Sequence, residues 1–304
     1  MLKLKAINTH GTTHWIADEI PKEIKVLGSF WVSAIDEFTS NPINDSYGIL
    51  ADMVEGASIH GRSCFLGMDE YKNYYFAKGC GWNHAFGWKP SFGSLGILPL
   101  WAGERERDIS LVLRETSINV VTPIAIVLHK KIPQFGSNPN NSEFIDADSI
   151  PDLDGSPANP CLFIYSSKSR WRLADLFYFS EQERHEIIFK DITPIDWFVK
   201  IIRSVSVSTG TLHKLGGYDY SLSTHNVFID GTRLDFEYLV LNTHPHPNKV
   251  LNQDADTWRQ KELYGLKTLA WELAELLRIK ITVREIDLIL KSEYESNCSF
   301  FYPF

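Results

Sequence analysis

Thr224-His-Asn-Val-Phe-Ile-Asp-Gly-Thr-Arg-Leu-Asp-Phe-Glu237 is the stretch on which the reading of the fold turns. It runs from a His-Asn pair through a short apolar strand to Asp230-Gly231, then through a second strand to Asp-Phe-Glu. An Asp-Gly pair between two such runs favours a hairpin, because glycine accepts the positive φ that a tight turn demands. The hairpin brings Asn226 and Asp235 to one end, where an amide oxygen and a carboxylate can hold Mg²⁺. Magnesium suits such a pair because it takes few protein oxygens and completes its shell with phosphates and water. Mn²⁺ is served by the same hard donors.

Working outward, the chain offers the other parts of a nucleotide-phosphate site in the order in which protein kinases use them. The aromatic run Tyr-Tyr-Phe-Ala over residues 74–77 reads as a strand that delivers Lys78, whose ammonium would bind ATP phosphates. Residues 104–115 read as a helix with a charged first turn, from which Glu106 would pair with Lys78 and aim it. Gly56-Ala-Ser-Ile-His-Gly61, with Gly67, can form a phosphate-covering loop, since missing side chains allow close backbone approach.

The rest of the chain sets the frame. At 304 residues and 44% hydrophobic content it can fill a large core. A net charge of -8 leaves no basic stripe for phosphate neutralisation, so no nucleic-acid partner is expected. The start, MLKLKAINTHGTTHW, lacks an apolar run of signal-peptide length, and no stretch reaches the ~18 apolar residues of a membrane span. No membrane association is therefore expected, and the protein reads as soluble and cytoplasmic. Cys64, Cys80, Cys161 and Cys298 stand far apart with no CxxC pair, which indicates neither a zinc site nor a disulfide framework and fits reduced thiols. Thr243-His-Pro-His246 reads as a loop rather than a metal pair, and Trp82, Trp88 and Trp101 as packing rather than an adenine platform.

Residues 122–129 and 160–166 read as strands that bracket a polar, acidic surface loop at 134–159. Helix signals dominate the second half. Ser180-Glu-Gln-Glu183 is a capping box, and Thr193-Pro194 places an N-cap before a first-turn proline, with Ile195, Phe198, Val199, Ile202 and Val205 as the buried stripe. A helix over 256–277 should turn Leu263, Leu266, Ala270, Leu273 and Leu277 inward, and residues 282–285 cap a last one. The fold class that follows is α+β: a protein-kinase-like bilobal fold, with a strand-rich N-lobe over 1–167 and a helical C-lobe over 168–304 that carries the metal hairpin. The nucleotide site is expected in the cleft between them.

Four blocks, spanning roughly residues 56–237, resemble the selenoprotein O family of kinase-like proteins. Ala77-Lys-Gly-Cys-Gly81 is similar to that family's L-K-G-A-G strand end, which implies that Lys78 is the phosphate lysine. Residues 96–121 align without gaps to its G-R-A-V-L-R-S-T-I-R-E helix and the G-I-P-T-T after it, and place the family's glutamate at Glu106. Ser169-Arg-Trp-Arg-Leu-Ala-Asp-Leu176 is similar to S-H-I-R-F-G-H-F and implies a phosphate-contacting arginine at Arg172. Leu222-Ser-Thr-His-Asn226, with Asp235 nine residues on, resembles M-N-T-D-N with its metal aspartate at the same spacing. The resemblance implies ATP bound in a flipped pose, so that AMP passes to a Ser, Thr or Tyr hydroxyl of a protein.

Departures bear on the chemistry. The family's acid before the metal asparagine is His225 here, the histidine of its H-G-V-M is Asp219, and its second phosphate arginine falls on Tyr165. His225 and Asp219 are thus rival candidates for the base. Two other functions use the same residues: a kinase that moves the terminal phosphoryl group to a small-molecule or protein hydroxyl, and a catalytically silent binding module. The acceptor is not named by the sequence.

Overall fold

The structure, a computed structural model, describes residues 5–8, 11–18, 29–33, 55–56, 63–81, 96–133, 144–152 and 154–298. Two units divide the chain: Met1–Asp108 with Thr122–Lys168, and Ile109–Val121 with Ser169–Phe304.

Runs of β-branched and aromatic residues make the first unit a sheet, because such side chains fit a pleated surface buried on its faces. Its strands are β1 (Lys5–Asn8), β2 (Thr12–Ile16), β3 (Phe30–Ser33), β4 (Glu55–Gly56), β5 (Ser63–Met68) and β6 (Tyr74–Lys78), followed by helix α1 (Leu100–Arg114). After α1 come β7 (Thr122–Leu128), β8 (Lys131–Pro133), β9 (Phe144–Asp146) and β10 (Cys161–Ser167). Six of these strands form an antiparallel sheet in the order β2-β7-β10-β6-β5-β4. β10 lies third in that order and every one of its residues is buried, in keeping with its apolar run from Cys161 to Tyr165. The aromatic strand expected before Lys78 is β6, and the 122–129 and 160–166 strands are β7 and β10, paired with each other.

The acidic connection between them departs from a plain surface loop. Its residues 134–143 lie outside the described ones, but β9 pairs with β8, and Ala147, Ile150 and Ala158 bury themselves with Ile97 and Ile132. Those apolar residues are scattered singly among polar ones, so no period announced them.

Capping and apolar spacing build the second unit. Its helices are α2 (Glu181–Ile187) and α3 (Pro194–Lys214); the short strands β11 (Tyr218–Asp219) and β12 (Leu239–Val240) follow, then α4 (Ala255–Leu276) and α5 (Val283–Asn297). The Ser180 and Thr282 capping boxes and the Thr193 N-cap all form, and each supplies acceptors to first-turn N–H groups that have no helical partner. Phe198, Ile202 and Val205 of α3 meet Leu263, Leu266, Ala270 and Leu273 of α4 and Ile286, Leu290 and Tyr294 of α5 in one core. Ile195, expected in the buried stripe, is 41% exposed, while Trp197 and Ile201 are buried. Residues 193–196 at the start of α3 are exposed, and burial begins at Trp197. Gly210 lets α3 approach α5 closely, since a Cβ there would stand 2.8 Å from the Tyr294 carbonyl oxygen. No helix among the described residues is long and apolar enough to cross a membrane.

Candidate functional site

In the first unit, Lys78 ends β6 in register with Ser63 of β5 and Phe163 of β10. Its ammonium forms an ion pair with Glu106 of α1, and the residues are only 4% and 1% exposed. An ammonium removed from water to that degree requires a carboxylate partner, so strand and helix each fix the other's charge. α1 begins four residues earlier than residues 104–115 suggested, which puts Glu106 in its second turn. Directly after Lys78 the chain turns at Gly79 with φ +87°, where a Cβ would meet the Cys161 carbonyl oxygen at 2.2 Å. Only glycine fits this exit. Of the expected phosphate-covering loop, Gly56 pairs with Cys64 as part of β4 and Gly67 sits at a bulge of β5, while Gly61 lies outside the described residues.

In the second unit, the Asp230-Gly231 turn forms. The Gly231 N–H donates to the Phe228 carbonyl at 2.8 Å and the Phe228 N–H to the Thr232 carbonyl at 2.8 Å, with Gly231 at φ +88°. One bridge, Val227 to Arg233, continues the hairpin, and the Leu234 N–H closes on the Asn226 carbonyl at 3.1 Å. Asn226 and Asp235 therefore stand at the same end. Asn226 donates its Nδ2 to the Ser221 carbonyl at 2.9 Å, which turns the amide oxygen away from that contact and fits it to a cation. Asp235 takes a left-handed φ of 66°, uncommon outside glycine and tolerated by a short polar side chain. A carboxylate oxygen of Glu237 lies within 4.8 Å of one of Asp235. The donor set is all oxygen, as magnesium or manganese prefers.

Arg172 is buried beside this hairpin: it bridges Phe228 through the backbone, and its guanidinium donates to the His225 carbonyl at 3.1 Å. His225 is half-buried, and burial, helped by the Arg172 charge, pushes its pKa below the usual imidazole value. It is therefore neutral at pH 7 and able to accept a proton.

Asp219 is engaged differently. Its Oδ2 accepts from Arg233 Nη2 at 2.6 Å and its Oδ1 from the Ser221 N–H and hydroxyl at 2.9 and 2.7 Å. The same Arg233 nitrogen reaches Glu262 at 3.1 Å, and Glu262 also accepts the Asp219 N–H at 2.6 Å. His213 joins Glu262 to the Tyr294 hydroxyl through its two ring nitrogens, at 3.0 and 2.7 Å. All of these groups except Ser221 are buried. Burial raises the Asp219 carboxyl against the pull of Arg233; it acts on Glu262 the same way, but His213 and Arg233 outweigh it and hold that carboxyl below its usual range.

Of the expected residues, then, the structure groups Asn226, Asp235, Arg172, His225 and Asp219 around the hairpin and joins Lys78 to Glu106. Tyr165, which occupies the place of the family's second phosphate arginine, is buried between Phe76 and Phe163 at ring distances of 5.3 and 5.6 Å. His246 is bound into its own loop, where its Nδ1 accepts the Asn248 N–H at 2.9 Å. Trp101 is 36% exposed and donates to Asp152, so it is not core packing; Trp82 and Trp88 lie outside the described residues.

Sequence reasoning missed Ser221, Glu237, Arg233, His213 and Glu262. One of them had a readable signal: Ser221 stands five residues before Asn226, where the H-R-D-x-x-x-x-N catalytic loop of protein kinases carries its basic Asp. Glu262 reaches its partners across 49 and 43 residues, beyond any local pattern.

An antiparallel sheet whose strand-end lysine pairs with a helix glutamate, followed by a helical unit with an Asn…Asp hairpin, is a protein-kinase-like α+β fold. Neither a family model nor a curated protein matches the chain. Among solved structures it is similar to the kinase domain of a specific rhoptry antigen of Toxoplasma gondii, at 10% identity and a TM-score of 0.36 over 78% of this chain and 76% of that one. It is also similar to ROP2 of Toxoplasma gondii, described as a virulence factor with a protein-kinase fold and no enzymatic activity, at 13% identity and a TM-score of 0.38 over 80% and 82%. A third is WaaP in complex with acyl carrier protein, at 13% identity and a TM-score of 0.30 over 80% and 86%.

Proposed function

We propose that this chain is an ATP- and Mg²⁺-dependent transferase that moves AMP to a Ser, Thr or Tyr hydroxyl of a protein, the activity its resemblance to the selenoprotein O family implies. The observation that carries it is the buried Lys78–Glu106 pair, because a lysine kept charged inside a sheet needs a reason to be there. Phosphate binding supplies one. Lys78 and Arg172 would bind the phosphates, and Asn226 and Asp235 would hold the metal. When bound, Mg²⁺ neutralises charge on the phosphate oxygens.

His225, neutral at pH 7, would take the proton of the acceptor hydroxyl as its oxygen bonds to the α-phosphorus and pyrophosphate departs. Such base catalysis is typically worth ~10²–10⁴-fold. Asp219 is the weaker candidate, since its two oxygens are already engaged by Arg233 and Ser221.

A second reading, a nucleotide-binding module without turnover, is favoured by Ser221 at the position of the kinase base. Radiolabelled ATP decides. The full chain is incubated with Mg²⁺, a cell extract, and ATP labelled at either the α or the γ phosphorus. Label transferred from the α position alone is the expected result. Label from the γ position alone would replace the proposal with phosphorylation, and bound ATP with neither transfer would leave the binding module.

A further inference from the structure

Cys64 and Cys80, sixteen residues apart in sequence, meet in space, with the Cys80 thiol pointing at the Cys64 sulfur across 3.4 Å. Neither is in a disulfide, and both are fully buried. Cys64 is the second residue of β5, and Cys80 lies two residues beyond Lys78, which pairs in register with Ser63. A bond between the two sulfurs would need them closer by a little over 1 Å, to the ~2.05 Å of a disulfide, within reach of side-chain rotation. Among the described residues β4 pairs with β5 at two positions, and the residue opposite Cys64 is Gly56.

We propose that Cys64 and Cys80 form a reversible redox pair, oxidised by a small-molecule disulfide of the glutathione type, whose closure staples β5 to the strand end that carries Lys78. The Cys80 thiolate attacks one sulfur of glutathione disulfide. The S–S bond breaks, one glutathione leaves as thiolate, and a mixed disulfide remains on Cys80. The Cys64 sulfur then attacks the Cys80 sulfur and expels the second glutathione. The protein has lost two electrons and two protons, and both protons end on the glutathione thiols. The first attack falls to Cys80, whose thiol is directed at the Cys64 sulfur, so that Cys64 stands in place to resolve the mixed disulfide. Neither cysteine belongs to the ATP reading given above, so the pair stands or falls apart from it.

The test uses the full folded chain and glutathione disulfide. After oxidation, remaining thiols are alkylated in denaturant and the digest is mapped by mass spectrometry without reduction. The expected result is a peptide linking positions 64 and 80, two fewer alkylated thiols, and full recovery with reductant. In Cys64→Ala, lacking the second thiol, a glutathione adduct should accumulate on Cys80 instead. Persistence of all four thiols, a link between other cysteines, or a 64–80 link that forms only after unfolding in urea would each overturn the proposal. The oxidised chain should also show a higher urea midpoint than the reduced one, a shift absent from Cys64→Ala and Cys80→Ala. An unchanged midpoint in the wild-type chain would overturn the staple.

Discussion

Lys78 and Glu106 in the first unit, and Arg233, Asp219, Glu262 and His213 in the second, all bury ionisable groups, yet they do so in different ways. Arg233 is a rigid fork whose Nη2 is shared by two carboxylates, and those carboxylates accept in turn from a backbone N–H, a serine and a histidine. Lys78 is a compact ammonium on a flexible stem, held at a strand end by the carboxylate of a neighbouring helix. The first arrangement fixes backbone: it ties β11 to α4 and, through Ser221, to the loop that presents Asn226. The second is the pair that the proposed function assigns to the ATP phosphates. Buried charge alone does not mark a functional site.

Substitutions can break this contrast. The largest effect is expected from Asp235→Ala, which should lower AMP transfer on the order of 10⁴-fold, about 5 kcal/mol, with an unchanged circular dichroism spectrum. Retained turnover would mean the metal residues are misassigned. Next, Arg233→Met should destabilise the chain to urea by about 3–5 kcal/mol, because it strands Asp219 and Glu262 in the interior. Lys78→Met should show the opposite balance, with a turnover loss of ~10²–10³-fold and a smaller stability loss, since the Glu106 carboxylate can then take up a proton. If Lys78→Met proves the more destabilising of the two, the contrast between a ligand-binding pair and a structural network fails.

A smaller effect separates the units by pH. His129, fully buried with its Nε2 3.1 Å from the Gly79 carbonyl, has a pKa pushed down by burial from 6.5 to about 4. The unfolded chain takes up this proton near 6.5 and the folded chain only near 4, so stability falls as pH drops through that window, by up to roughly 3 kcal/mol. His129→Gln keeps a donor for Gly79 and should remove that part of the slope in urea titrations at successive pH values. The smallest expected change is Thr282→Ala, which removes the hydroxyl that accepts the Glu285 N–H at 3.2 Å and should cost about 1 kcal/mol by thermal unfolding.

Much of the framework was legible in the letters because its causes are local. A serine or threonine three residues before glutamate satisfies its own helix end, as at 180 and 282; Asp230-Gly231 sets its own turn; short aromatic and apolar runs reveal β6 and β7, and helical periods α3 and α4. From the same locality came the shared end of Asn226 and Asp235, and the order of Lys78 before Glu106. Beyond reach were partnerships whose energy comes from desolvation at long separation. The meeting of Arg233 with Glu262, the engagement of Asp219, the stacking of Tyr165 and the approach of Cys64 to Cys80 each depend on which chains the core brings together. Sequence determined the elements and the chemistry available to them, because propensity and capping act within a few residues. Tertiary structure alone decided which ionisable groups meet and how deeply they are buried, because burial, not spacing, sets the strength of an electrostatic contact.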